Sequence, residues 1–109
     1  MEINLTDTNA MDEISIRTKH GEYSFRVTDP DRCRGLLSGG ELGNEKCEAL
    51  FSGTVLATSF SRSSRDRFQI GTRALFHIGI KGGLKLLTTS PITQLAFVTH
   101  VDGGAGETC

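Results

Sequence analysis

Six basic residues lie between positions 62 and 85, and their types and spacing could form a site for anions. They are Arg62, Arg65, Arg67, Arg73, Lys81 and Lys85. Asp66 is the only acid in this basic segment, so six positive charges against one negative charge give +5. Phe60 and Phe68 flank its first turn. Guanidinium groups bind phosphates and aromatic rings stack on bases, so the pattern is typical of single-stranded nucleic acid or nucleotide binding.

A second interpretation of the same charges is structural. Residues 1–48 hold ten acids and six bases, a net charge of −4, so the basic segment has acidic partners in its own chain or in another subunit. The whole chain carries a net charge of −1, and aromatic residues make up 6% of it. We therefore expect a solvated turn rather than a nucleic-acid site, and nucleic-acid or nucleotide binding stays the alternative.

Cysteine and histidine are the other residue types here that could carry chemistry. They occur as Cys33, Cys47, Cys109, His20, His77 and His100. None stands at CxxC, HxH or HxxxH spacing, so no metal site is expected. A nucleophilic pair of Cys33 or Cys47 with His77 stays open as a thiol-dependent enzyme, because such a pair meets only in space. Since no catalytic motif is recognised, we expect a protein that is not an enzyme and binds no cofactor.

The glycine-rich stretch 37–43 does not fit a phosphate-binding loop. Such a loop needs Lys followed by Ser or Thr after its last glycine, and Asn44 and Glu45 follow Gly43 instead. We predict a plain loop here, within a long connection that covers residues 30–49. Asn44 is a suitable cap for one or two helical turns that end near Leu50.

Period-two alternation of apolar and polar residues dominates the rest of the chain. The clearest case joins two runs in 12–29 through a His20-Gly21 turn, which places Lys19 opposite Glu22. Further alternating runs lie at 51–60, 68–80, 84–89 and 92–101, and 61–67 is a polar turn. Gly71 interrupts one run and predicts a bend that lets this strand serve two sheets.

About six strands with mostly short connections predict an all-β fold. We expect a small six-stranded barrel or compact roll with one long, partly helical connection, because closure removes exposed edges. The 109 residues suit a single domain with loose ends at 1–10 and 102–109, or at most an edge strand through Ile3 and Leu5. The last strand is apolar on both faces at 95–98, which is typical of a subunit contact and predicts a homo-oligomer.

The composition is that of a compact globular protein. Hydrophobic residues make up 37% of the chain, too many for a disordered segment of near-zero net charge. The first residues lack the basic and apolar regions of a signal peptide, and no apolar run is long enough to span a membrane. We therefore predict a cytoplasmic protein whose cysteines are free thiols.

Short motifs in this chain resemble those of small β-rich proteins from bacteria and phages. They are the T-x-x-G-x-Y hairpin at 18–23, the run 68–72 and the T-T-S-P-I strand end at 88–92. The resemblance covers most of residues 14–95. It implies a β-rich fold and carries no function with it.

A second set of residues resembles the PilZ domain, a barrel that binds cyclic-di-GMP. That family carries R-x-x-x-R followed by [DN]-x-S-x-x-G. Here Arg62 and Arg65 stand one residue closer together, and His77 and Gly79 occupy the Asp/Asn and Ser positions. The resemblance implies nucleotide binding at the basic segment of a barrel.

From all of these features the sequence predicts a non-catalytic binding or adaptor module of the kind that a phage or another mobile element encodes. The expected partner is another protein or a second copy of the chain. Nucleic-acid or nucleotide binding through the basic segment is the first alternative, and a thiol-dependent enzyme is the second.

Overall fold

A computed structural model describes residues 2–59, 61–80 and 82–98. Within these residues the fold is all-β, as the alternation predicts. The strands are β1 (Glu2–Asn4), β2 (Glu13–Thr18), β3 (Gly21–Asp29), β4 (Arg34–Gly39), β5 (Cys47–Leu56), β6 (Arg62–Ser64), β7 (Arg67–Gln69), β8 (Thr72–Ile80), β9 (Gly83–Thr88) and β10 (Ile92–Val98). Short 3-10 turns lie at Leu5–Asp7, Pro30–Arg32 and Gly40–Leu42. None of the described helical turns has the length or apolar character needed to cross a membrane.

The strands form one large and one small antiparallel sheet. The large sheet has the order β10-β2-β3-β4-β5-β8-β9, with β6 added beside β5, and the small sheet pairs β1 with β7. Among the described residues no pairing joins the end strands β9 and β10, so the large sheet is not a closed barrel. The predicted bend at Gly71 separates β7 from β8, and the run 68–80 thereby serves both sheets.

The first hairpin has the predicted faces but a different register. Thr18 pairs with Gly21, and Glu22 lies opposite Arg17 rather than Lys19, so the turn is Lys19-His20. A shift of two residues keeps the same side chains buried, so alternation alone does not distinguish the two registers. The segment before β10 selects the observed one. There the Ser90 hydroxyl accepts from the backbone N–H of His20 at 3.0 Å and donates to Thr18 Oγ1 at 2.8 Å.

The predicted long connection at 30–49 contains one whole strand and the start of another. Strand β4 lies inside it and pairs with β3 on one side and β5 on the other. The predicted helical turns from Asn44 to Leu50 are wrong, because Cys47–Leu50 begin β5. Glycine does not mark a loop throughout this segment. Gly35 is buried against Phe25 in the middle of the sheet, where no larger side chain fits. The polar turn predicted at 61–67 likewise contains β6 and the start of β7.

Four phenylalanines from both sheets form the centre of the core. Phe25, Phe51, Phe68 and Phe76 are each at most 2% exposed, and their ring centroids lie 4.2 to 6.0 Å apart. Phe25 on β3 and Phe76 on β8 are separated by two strands in the sheet order, yet their centroids are 5.5 Å apart. The large sheet therefore curls around this core.

The first chain end forms the edge strand through Ile3 that the sequence left as the alternative to a loose arm, whereas the last strand differs from the expectation. Residues 2–7 are not loose, since β1 pairs with β7 and both Ile3 and Leu5 are buried. Near the end of β10 both faces become exposed: Leu95 is 4% exposed, Phe97 on the same face is 51% exposed, and Val98 on the other face is 37% exposed. The predicted loose tail at 102–109 lies outside the described residues.

Candidate functional site

The outer face of the large sheet carries apolar side chains that the core does not use. Leu50 on β5 pairs with His77 on β8, and His77 pairs with Leu86 on β9. Residues opposite each other in antiparallel strands share one face, so these three side chains form a row across three strands. A neighbouring row includes Gly79 of β8 opposite Leu84 of β9. Leu84 and Leu86 are 76% and 54% exposed.

These rows border a groove of about 1030 Å³, here called the outer groove. It is lined chiefly by Leu36, Glu48, Leu50, His77, Gly79 and Leu84. Gly79 leaves its centre flat, since a Cβ at this position would meet nothing closer than the Glu48 carbonyl oxygen at 3.8 Å. An apolar floor without a bulky centre accommodates an extended chain or a flat apolar side chain.

Charged side chains that have no ionic partner among the described residues surround this floor. The set is Arg34, Glu45, Lys46 and Glu48, all of them exposed lining residues of the outer groove. None of the four makes a side-chain hydrogen bond or ion pair with the described residues. Two positive and two negative charges cancel, so the groove combines an apolar floor with a mixed-charge rim. That combination is typical of a protein-binding surface.

His77 is exposed on this face and is held by a serine that the sequence motifs did not indicate. Its Nδ1 lies 2.6 Å from Ser52 Oγ. Ser52 sits at a bulge in β5, where Gly53 adopts a φ of +103° and the pairing with β8 skips a register position. Arg62 Nη1 donates to the Ser52 carbonyl oxygen at 2.8 Å. Ser52 does not lie in a GxSxG motif, so its contact with His77 becomes apparent only from the pairing of β5 with β8.

Ser52 and His77 have the nucleophile–base contact of a hydrolase but not its third member. Among the described residues no carboxylate is hydrogen-bonded to His77. In acyl-transfer enzymes such a group orients the imidazole and stabilises its charged form. The pair therefore fixes the imidazole ring at the edge of the outer groove.

The cysteine–histidine pair that the sequence left open does not form in the described part of the chain. Cys33 and Cys47 are free, half-buried thiols that pack against the core, whereas His77 lies on the outer face. Burial raises the pKa of the Cys33 thiol, and the nearby charges of Asp66 and Asp29 raise this pKa further. Cys33 is therefore a poor nucleophile at neutral pH. Cys109 lies outside the described residues.

The basic segment is dispersed, and much of it is engaged in structural contacts. Arg67 pairs with Glu2 at 2.8 Å and ties β1 to β7. Arg73 donates to the carbonyl oxygens of Ala57 and Thr89 at 3.2 and 3.5 Å. Lys85 lies 3.8 Å from Glu41, far along the chain from the arginine turn.

Arg62 and Arg65 are the two predicted site residues that the structure brings together. A Cβ built on Gly53 would lie 2.6 Å from Arg62 Nη1 and 3.1 Å from the Cα of Arg65, so both arginines flank the β5 bulge. The Arg65 side chain makes no ion pair with the described residues. Phe68 is fully buried and cannot stack on a base. Phe60 and Lys81 lie outside the described residues.

The Glu2–Arg67 pair leads to a prediction on pH. The Arg67 side chain donates a hydrogen bond to Glu2, and this contact holds the pKa of the Glu2 carboxyl below its ordinary value. The pair therefore stabilises the small sheet at neutral pH and is lost as the pH falls through that lowered pKa. We expect NMR titration to show the low Glu2 pKa, and Arg67→Met to raise it towards the ordinary value, because Arg67 is the largest cause of the lowering. Arg62→Met is the control and should leave it unchanged; an unchanged pKa in Arg67→Met would contradict the assignment.

Within the described residues no three His, Cys, Asp or Glu side chains come together as metal ligands do. No protein-family model matches the chain, and no curated protein or solved structure similar to it was found.

Proposed function

We propose that this chain is a non-catalytic protein-binding module and that the outer groove is its binding surface. The observation that carries the proposal is the exposure of leucines on regular strands, with Leu84 at 76% and Leu50 at 37%. Soluble proteins rarely leave such side chains side by side in solvent unless another molecule covers them. The partner we propose is an extended, apolar segment of another protein that lies along the flat floor at Gly79.

The chemistry of the rim supports a protein partner over a nucleic acid. Arg34 and Lys46 line the groove together with Glu45 and Glu48, and these carboxylates would repel a phosphate backbone. A peptide offers charges of both signs, so each rim group finds a partner on it. The free thiols of Cys33 and Cys47 support a reducing compartment, and we place the module in the cytoplasm.

For the overall shape we propose an open six-stranded barrel formed by β10, β2, β3, β4, β5 and β8. Its support is the close approach of Phe25 and Phe76 and one hydrogen bond across the gap, from the Gly71 N–H to the Ile92 carbonyl oxygen at 2.8 Å. Strand β9 then extends beyond this barrel as the outer half of the β8–β9 hairpin. This position leaves Leu84 and Leu86 of β9 in solvent, whereas Leu87 faces the core.

The test uses peptides selected from a random display library against the wild-type chain, followed by anisotropy titration of labelled copies. Leu50→Lys and Leu84→Lys should each weaken binding at least tenfold, because each places a charge on the apolar floor. Leu56→Lys is the matched control, since Leu56 is 44% exposed on β5 and does not line the groove. Equal affinity for all three variants, or a library that yields no binder, would overturn the proposal.

Two further arms separate the alternatives. Labelled single-stranded DNA and labelled cyclic-di-GMP should not bind at low salt; binding that Arg62→Ala and Arg65→Ala abolish would support the basic segment instead. A fluorophosphonate reagent should not label Ser52. Labelling that Ser52→Ala removes would overturn the non-catalytic assignment.

A further inference from the structure

Strand β9 ends the large sheet, and within the described ranges it pairs with β8 alone. The Ile80–Gly83 pair closes a two-residue turn, so this pair and every second pair after it exchange their backbone hydrogen bonds with β8. The N–H and C=O groups of Gly83, Lys85 and Leu87 therefore point towards β8. Those of Leu84, Leu86 and Thr88 point outwards from the edge of the sheet.

This edge carries one feature that protects other edge strands, the charge of Lys85, and lacks prolines and bulges. The sequence of β9 is GLKLLT, with no proline, and its pairing with β8 continues without a bulge from Gly83 to Thr88. Natural edge strands are protected by charges, bulges, prolines or a covering element. Lys85 is the single charge on β9, and its ammonium group is drawn towards Glu41 at 3.8 Å. The remaining edge is a ready template for another strand.

The edge is complementary to itself in one register. With a two-fold axis at Leu86, the residue pairs across the axis are Leu86 with Leu86 and Leu84 with Thr88. All three positions have outward-pointing backbone groups, so three pairs exchange six hydrogen bonds. The leucines also remain on one common face, as antiparallel pairing requires.

The charge of Lys85 disfavours the neighbouring register. A shift that pairs Leu84 with Leu86 would place Lys85 directly opposite Lys85 of the second copy, and like charges in that position are destabilising. In the register centred on Leu86, Lys85 lies opposite Leu87 instead. The charge of Lys85 is therefore compatible with the register centred on Leu86 and destabilises the register that pairs Lys85 with itself.

We propose that two copies of the chain associate through antiparallel pairing of β9 with β9, centred on Leu86. The two large sheets then become continuous, and their exposed Leu84 and Leu86 side chains form one apolar face. This dimer surface at the edge of β9 differs from the subunit contact that the sequence predicted at the last strand. At β10 the Ile92 carbonyl oxygen already accepts a hydrogen bond from the Gly71 N–H. After β10 the chain continues into residues outside the described part. The proposal does not depend on peptide binding to the outer groove.

The first test is sedimentation at micromolar concentration. The wild-type chain should sediment at twice its mass of 11.8 kDa. Leu86→Pro should sediment as a monomer, because proline removes the central outward N–H while the hydrogen bonds to β8 stay intact. Near-ultraviolet circular dichroism of this variant should match the wild type, and Leu56→Lys should remain dimeric. A monomeric wild type, or a folded Leu86→Pro variant that is still dimeric, would overturn the proposal.

The second test determines the register by disulfide formation, with the oxidised wild type as background. Residues in a hydrogen-bonded pair have Cα atoms about 5.5 Å apart, within the range that a disulfide spans. Leu86→Cys alone should cross-link to itself. Leu84→Cys and Thr88→Cys should cross-link when mixed and not separately. A dimer in which Leu86→Cys fails to cross-link would show a different interface and overturn the assignment, whatever the peptide experiment shows.

Discussion

Replacing Phe68 with alanine should lower the free energy of unfolding by about 3–5 kcal/mol, the range for truncating a fully buried aromatic side chain. Phe68 is fully buried, and its ring centroid lies 4.2 Å from that of Phe51 and 6.0 Å from that of Phe25. It belongs to β7 and is the partner of Ile3 in β1, so its ring attaches the small sheet to the core. Truncation removes both the buried area and the packing that joins the two sheets.

Urea denaturation followed by circular dichroism measures this loss. Phe97→Ala is the matched control, since the same change at a ring that is 51% exposed should cost about 1 kcal/mol or less. A domain of this size has about 5–15 kcal/mol of stability in total, so the Phe68 variant should be largely unfolded at moderate urea. Equal losses in the two variants would contradict the central position of Phe68.

A single methyl group at Gly35 should cost about 3 kcal/mol or more, at the upper end of what overpacking produces. A Cβ there would be forced against the carbonyl oxygen of Arg26 and would lie 2.8 Å from Phe25 Cζ. The backbone of β3 cannot move away without breaking its pairing with β4, and Phe25 is locked in the aromatic core. Gly35→Ala should therefore separate β4 from β3 or displace Phe25.

Gly79→Ala is the control for this prediction. Gly79 also lies in a strand of the large sheet, but its added Cβ would meet only the Glu48 carbonyl oxygen at 3.8 Å, an ordinary contact. Alanine also loses less backbone entropy than glycine on folding, so the change in stability should stay within about 1 kcal/mol. Thermal unfolding of both variants checks the contrast. A Gly35 variant as stable as the Gly79 variant would show that β4 is not packed as described.

The predictions from sequence held where one local pattern decides the outcome. Alternation at 13–18 and 21–29 predicts which side chains of the first hairpin are buried, and Ile14, Ile16, Phe25 and Val27 are all fully buried. It did not predict the turn, because registers two residues apart bury the same side chains. Hydrogen bonds from Ser90, about 70 residues away along the chain, select between them.

The largest error lies at 30–49, and its cause is the ambiguity of glycine. Glycine weakens a strand when it is considered locally, so the glycine-rich stretch 37–43 favours a loop. In the fold, Gly35 is required because β4 passes directly over the ring of Phe25, a contact that no local pattern encodes. The sequence patterns missed the candidate site for a similar reason, because its central contact depends on long-range strand pairing. His77 and Ser52 lie 25 residues apart, and only the pairing of β5 with β8 brings them within 2.6 Å.

The sequence by itself determined the all-β class and the buried face of its clearest hairpin, because side-chain direction alternates strictly with residue number along any strand. Only the tertiary structure decided which strands are neighbours, and with that the register of the first turn, the dispersal of the basic segment and the outer groove. Strand neighbours are chosen by contacts between residues distant in sequence. These contacts depend on how whole faces pack, and the period of a single strand carries no information about its partner.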